Sequence, residues 1–143
     1  MKKLQRGTAI VELALVIPFL LVMTLIVTEF GRAIYQYNTL TKSVRDAARY
    51  ASMQTPGTHV SEAQNLVVYG NTGGTGAPLA VGLATSQVAV SWPPPTGINP
   101  AISTVNVQIS GYSFQSLLGS AFGLPFGTVA YSTIRATMRS QTS

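Results

Sequence analysis

The chain contains no cysteine, one histidine and one tryptophan, and only four of its 143 residues are acidic. Without cysteine there are no disulfides and no thiolate metal sites. The acids are Glu12, Glu29, Asp46 and Glu62, so no carboxylate follows residue 62. Paired carboxylates for acid–base work, or an oxygen cage for a metal, need acids that this second half lacks. Serine and threonine are plentiful, but none has a histidine and an acid placed to suggest a nucleophilic triad. His59, beside Pro56 and Gly57, reads as an exposed loop histidine rather than a base or ligand. The inventory speaks against an enzyme, and no cofactor or metal is expected.

Charge is scarce as well. Charged residues make up 9% of the chain and hydrophobic ones 46%, whereas an average soluble domain is about 25% charged. That balance suits a membrane or assembled protein. The formal charge of +5 is not a nucleic-acid signal. Lys2, Lys3 and Arg6 precede an apolar run, Arg32, Lys42, Arg45 and Arg49 share one presumed helix, and Arg135 and Arg139 lie near the C-terminus. No basic cluster carries interleaved aromatics for stacking bases, so a nucleic-acid partner is not expected.

Between Thr8 and Thr28, Glu12 is the only charged residue. A helix of that length spans about 31 Å, the thickness of a hydrocarbon core. Its basic lead predicts a cytoplasmic N-terminus and an exported remainder, a single pass through the lipid bilayer. A cleaved secretory signal would have a shorter apolar region and a small-x-small site, neither of which is evident. Pro18, inside the run, removes a backbone donor and predicts a kink or local melting.

The helix is expected to continue beyond the bilayer. Ile34, Tyr37, Thr41, Val44, Ala48 and Ala51 keep a spacing of three or four and predict one apolar stripe. Lys42, Arg45 and Arg49 share another face, with Asp46 four residues after Lys42. "QTPG" at 54–57 ends the pattern, giving a helix of roughly 69 Å from Thr8 to Met53. Glu29 and Arg32 are spaced for an ion pair at the outer interface. Arg45, Asp46 and Arg49 fit either a solvated face or a surface that docks another subunit.

Past residue 54 the pattern turns β-rich. "SEAQ" at 61–64 fits a capping box, Ser61 with Gln64, opening a short helix that ends near Gly70. "GNTGGTGAP" at 70–78 is a loop, without the Lys-Ser/Thr of a phosphate-binding one. Val88, Val90 and Trp92, then Val105, Val107 and Ile109, then Ile134, Ala136 and Met138 alternate as three strands. "PPPTGINP" at 93–100 cannot be regular structure. The apolar connection 113–127 either covers the sheet or forms an exposed patch that meets another subunit or the bilayer surface. The expected fold is α+β: a long membrane helix running into a small exported domain with a short helix and an antiparallel sheet of three or four strands.

A carboxylate near the start of a membrane run is costly unless paired, and Glu12 is the fifth residue after Gly7. With its short basic leader, this start resembles type IV pilin-like precursors, in which a prepilin peptidase cuts after a glycine and the fifth mature residue is glutamate. Residues 6–52 resemble the TadE-like family of minor pilins, or pseudopilins, of tight-adherence pilus systems. The resemblance rests on the Gly7-x4-Glu12 start, Pro18, "EFGR" at 29–32 and "RDAARYA" at 45–51. Glu12 is followed by Leu13 rather than the tyrosine of the short major pilins, and the exported part is long, both of which favour a minor subunit.

The resemblance implies cleavage between Gly7 and Thr8, leaving a leader (1–7), a membrane helix (8–28), its exported continuation (29–53) and a β-rich domain (54–143). Glu12, one turn or about 6 Å beyond the new N-terminus, would then pair with the Thr8 ammonium of its own or a neighbouring subunit and set register. The plain alternative is a glutamate snorkelling to the headgroups. The implied partners are the prepilin peptidase, the inner-membrane assembly platform with its ATPase, and other pilin subunits. The implied location is the bacterial inner membrane, with incorporation into a pilus. The rival functions are the major pilin of such a system and a signal-anchored, adhesin-like binding domain with an uncleaved N-terminus.

Overall fold

The structure, a computed structural model, describes residues 2–97, 101–117 and 128–141. One helix dominates it: α1, Lys2–Ser52, 51 residues and so about 77 Å long. It remains helical across Pro18, without the local melting that a proline permits. Thr24 and Thr28 donate their hydroxyls to the carbonyls four residues back, at 2.8 Å each. Hydroxyls satisfied within the helix can be carried through hydrocarbon at little cost.

The two halves of α1 differ in surroundings. From Gly7 to Arg32 no described residue is buried; Ala33 is the first that is. Beyond it, Leu40, Val44, Ala47, Ala48 and Ala51 enter the core with almost no exposure. The expected stripe is right at Val44, Ala48 and Ala51 but out of phase before them. Ile34 and Tyr37 are exposed, while Ala33 and Leu40 are buried. Large apolar side chains suggested the phase, whereas small Ala33 and Ala47 let neighbouring elements approach the backbone. Ile34 lies where the helix has barely entered its domain.

Helix α2, Val60–Tyr69, packs beside α1 and buries Ala63, Val67 and Val68. It ends at Gly70, whose positive φ of 75° allows its N–H to reach the Leu66 carbonyl, a position suited to glycine. The expected capping box does not form. His59 is the cap residue, in a left-handed conformation and without a side-chain cap. Gln64 turns instead to donate to the Val88 carbonyl at 2.9 Å, tying α2 to the sheet. His59 is exposed and faces Glu62 at 3.2 Å. A hydrogen bond from its own backbone N–H and contact with His59 hold the Glu62 carboxyl below its usual range, as suits an acid in a first helical turn.

The sheet follows the alternation. β1 (Val88–Ser91), β2 (Thr104–Ile109) and β5 (Ile134–Arg139) form an antiparallel sheet in the order β1-β2-β5. Val107 stands between Val90 and Ala136, and Ile109 between Val88 and Ile134. One face therefore delivers every large apolar side chain to α1 and α2, while Arg135, Thr137 and Arg139 stay outside. Burying each such valine, leucine or isoleucine is worth about 1.5–3 kcal/mol. Trp92 continues the β1 face past the end of the strand and packs at the edge of the core.

A second ribbon, absent from the expected strands, pairs β3 (Ser113–Phe114) with β4 (Val129–Ala130). Its first strand opens the apolar connection 113–127 and its second follows just after it; residues 118–127 of that connection, and 98–100 of the proline-rich one, lie outside the described residues.

Candidate functional site

Two places on α1 carry the residues singled out by sequence. The first is the projecting start. Gly7, Thr8 and Glu12 sit within α1 on its unpacked half. A Cβ built on Gly7 would meet nothing within 4 Å, and the backbone there is helical. Neither space nor conformation asks for glycine, which costs a helix interior up to about 1 kcal/mol relative to alanine. Nothing described in the fold requires glycine at position 7.

The second place is where α1 meets its domain. Glu29 and Arg32 form the expected ion pair, at 2.6 Å. The Glu29 carboxylate does more than pair along the helix. Its other oxygen accepts the backbone N–H of Leu117 at 2.6 Å, and Ser116 adds a side-chain hydrogen bond. Arg32 in turn lies over the Phe114 ring, 5.5 Å from its centroid, a cation–π distance. The C-terminal domain is thus clasped to the helix at the first turn after the apolar run.

One turn further along, aromatic residues repeat the clasp. Tyr131 donates its hydroxyl to the Ala33 carbonyl at 2.7 Å and meets Tyr37 edge-on at 5.4 Å. Gln36 donates to the Tyr112 hydroxyl at 2.9 Å, and that hydroxyl donates to the Val81 carbonyl at 3.0 Å. Tyr112 and Tyr131 lie 5.8 Å apart between their ring centres. Burial raises the Tyr112 phenol above its ordinary 10.0, against the opposing effect of the Gln36 hydrogen bond. Burial also raises Tyr131, with the neighbouring Tyr112 adding to the shift.

A phenol whose pKa is raised by folding favours the native state fully below pH 10 and loses that contribution as pH climbs towards the folded value. Tyr112 and Tyr131 are therefore expected to undock above about pH 10. The check is near-ultraviolet circular dichroism of the detergent-solubilised chain. Tyr112→Phe with Tyr131→Phe should move the alkaline loss upward.

Beside this collar a cleft of about 490 Å³ opens between α1 and the 78–81 loop, lined among others by Thr28, Gly31, Arg32, Tyr35 and Phe114. A smaller hollow of about 200 Å³ further along includes Lys42 and Asp46. Arg45 and Arg49 are exposed on the outside of α1 and are not brought into either. Among the described residues no group of three or more metal-ligating side chains occurs. The glycine-rich loop is held by its own polar groups: Asn71 bonds both the N–H and the carbonyl of Thr75, and Asn65 donates to the Thr72 carbonyl.

Sequence reasoning found Glu29 and Arg32 but not Gln36, Tyr112, Phe114 or Tyr131. Their contacts span 76 and 98 residues along the chain, beyond any local period. The one available signal was aromatic residues flanking the apolar connection, two in "GYSF" and one in "AYST".

The architecture is that of a small α+β domain on a helix that is long and apolar enough to cross a membrane, and whose apolar part is unburied. Residues 7–49 of that helix match the model of the TadE-like protein family, a structural family associated with tight-adherence pili. No curated protein and no solved structure matches the chain.

Proposed function

We propose that the chain is a minor pilin, or pseudopilin, of a tight-adherence pilus system: cleaved after Gly7 by a prepilin peptidase, anchored by residues 8–28 and assembled through the start of α1. The observation that carries this reading is the division of α1. Its domain uses the second half as core, whereas in the first, with Glu12 on it, no residue with described burial is buried. A helix of about 26 residues without an apolar partner needs lipid or other helices around it. The family match covers this same helix.

In this reading α1 exchanges lipid for neighbouring pilin helices as the assembly platform, driven by its ATPase, extracts the subunit. Glu12 and the Thr8 ammonium pair during that exchange. The exposed Arg45, Asp46 and Arg49 become contacts between subunits outside the membrane, and the inner-membrane anchor has its N-terminus in the cytoplasm. The collar at Glu29 and the tyrosines ties the domain to the helix so that pulling on one moves the other.

Quantifying the chain in sheared pili tests the assignment. A minor subunit is expected there as a trace, with piliation lost when it is deleted. Finding it as the bulk of the filament would make it the major pilin. Normal pili after deletion would end the pilus reading and bring forward a signal-anchored surface binding domain.

A further inference from the structure

We propose that the exported domain has its own contact with the bilayer: the β3–β4 ribbon lies in the outer headgroup layer beside the point where α1 emerges. This inference rests on the reading of residues 8–28 as the membrane span. Its starting point is a height. Glu29 is one residue past the span, about 1.5 Å along the axis. The 2.6 Å hydrogen bond from the Leu117 N–H to its carboxylate fixes Leu117 near the same level. A headgroup layer is about 5–8 Å thick on each side of the hydrocarbon. Any group beside the helix at that level is therefore among headgroups, whichever way it faces.

The ribbon follows from that anchor. Arg32, about 6 Å above Thr28, carries Phe114 on its guanidinium, and Phe114 pairs directly with Val129. Leu117 and Val129 are nevertheless 59% and 52% exposed, and Phe30, next to Glu29 in the helix, is 68% exposed. Apolar side chains left uncovered at this height suit the interface, as does an aromatic at the end of a span. Arg32, with 42% of its side chain accessible, can reach lipid phosphates while keeping its stem on Phe114.

The charge pattern agrees. Outside the span the acids are Glu29, Asp46 and Glu62. Glu29 is paired, and Asp46 lies about 27 Å beyond Thr28 along α1. No unpaired acid near the ribbon opposes anionic lipid. A second copy is the other possible cover, and the measurement below separates the two.

The absence of cysteine makes the test clean, because a single introduced thiol labels one position. Leu117→Cys and Val129→Cys, each carrying an environment-sensitive fluorophore, are reconstituted full length in vesicles of phosphatidylethanolamine with phosphatidylglycerol. Leu20→Cys reports the span, and Thr137→Cys, on the outer face of β5, reports water. A blue shift and quenching by headgroup-proximal nitroxide lipid at 117 and 129, but not at 137, is the expected result.

Labels at 117 and 129 as wet as the one at 137 would overturn the proposal. So would shielding that grows with protein density without quenching by lipid, which would mean that copies cover the ribbon. Failure of deep nitroxide lipid to quench position 20 would instead overturn the anchor reading, and the ribbon contact with it.

Discussion

Glu12→Ala is expected to leave the protein processed, folded and membrane-bound, and to remove it from the assembled pilus. Its fold should not notice the change. Glu12 is exposed and lies 21 residues, about 32 Å, before Ala33, where burial begins. Anchoring should not suffer either, since alanine removes a carboxylate from an apolar helix and is the better helix former.

In the proposed mechanism, what the substitution removes is the partner of the Thr8 ammonium. Leaving one member of a buried pair alone costs about 3–5 kcal/mol, on the order of a 10²- to 10⁴-fold loss in the assembly equilibrium. Glu12→Gln, which keeps a hydrogen-bond acceptor without the charge, should fall between. The check is the amount of the chain in sheared pili against the amount in membranes. Undiminished incorporation of Glu12→Ala would remove the pairing account and leave Glu12 as a snorkelling glutamate.

Gly7→Ala is expected to abolish processing outright, leaving the precursor in the membrane at full length. The structure makes this a sharp test, because alanine fits at position 7 without contact and would if anything lengthen helical order. A loss of cleavage therefore reports recognition by the peptidase and not damage to the substrate. Without cleavage there is no ammonium at Thr8, so the variant should also fail to assemble, as Glu12→Ala does. The two substitutions delete opposite halves of one pair, and their combination should be no worse than either alone. An immunoblot against the exported domain checks processing by mobility. Normal cleavage of Gly7→Ala would place the processing site elsewhere.

Much of the fold was legible because its signals are local. A helix with an apolar first half, Gly70 as its successor's stop, and three strands alternating at Val88, Val105 and Ile134 are patterns within single elements. The alternation gave the facing of each strand, since a slip by one would turn every inward residue outward, but the pairing of Val107 with Val90 and Ala136 came only from the structure.

What stayed hidden depends on partners distant in sequence. The phase of the second half of α1 was set by Ala33, which gains weight only once Tyr131 bonds its carbonyl. Gln64 looked like a cap because Ser61 precedes it by three, but the Val88 carbonyl competed for its amide. Glu29 was read as half of an ion pair, and its second role waited on Leu117, 88 residues away. Glu12 is the reverse case. Among the described residues no contact accounts for its position, and its proposed role came from the leader, Gly7 and the resemblance they carry.

The most direct measurement is the intact mass of the chain purified from native membranes, with and without its cognate prepilin peptidase. The account predicts a loss corresponding to Met1 through Gly7 that occurs only when the peptidase is present, with Thr8 as the new N-terminus. A full-length mass under both conditions would contradict it.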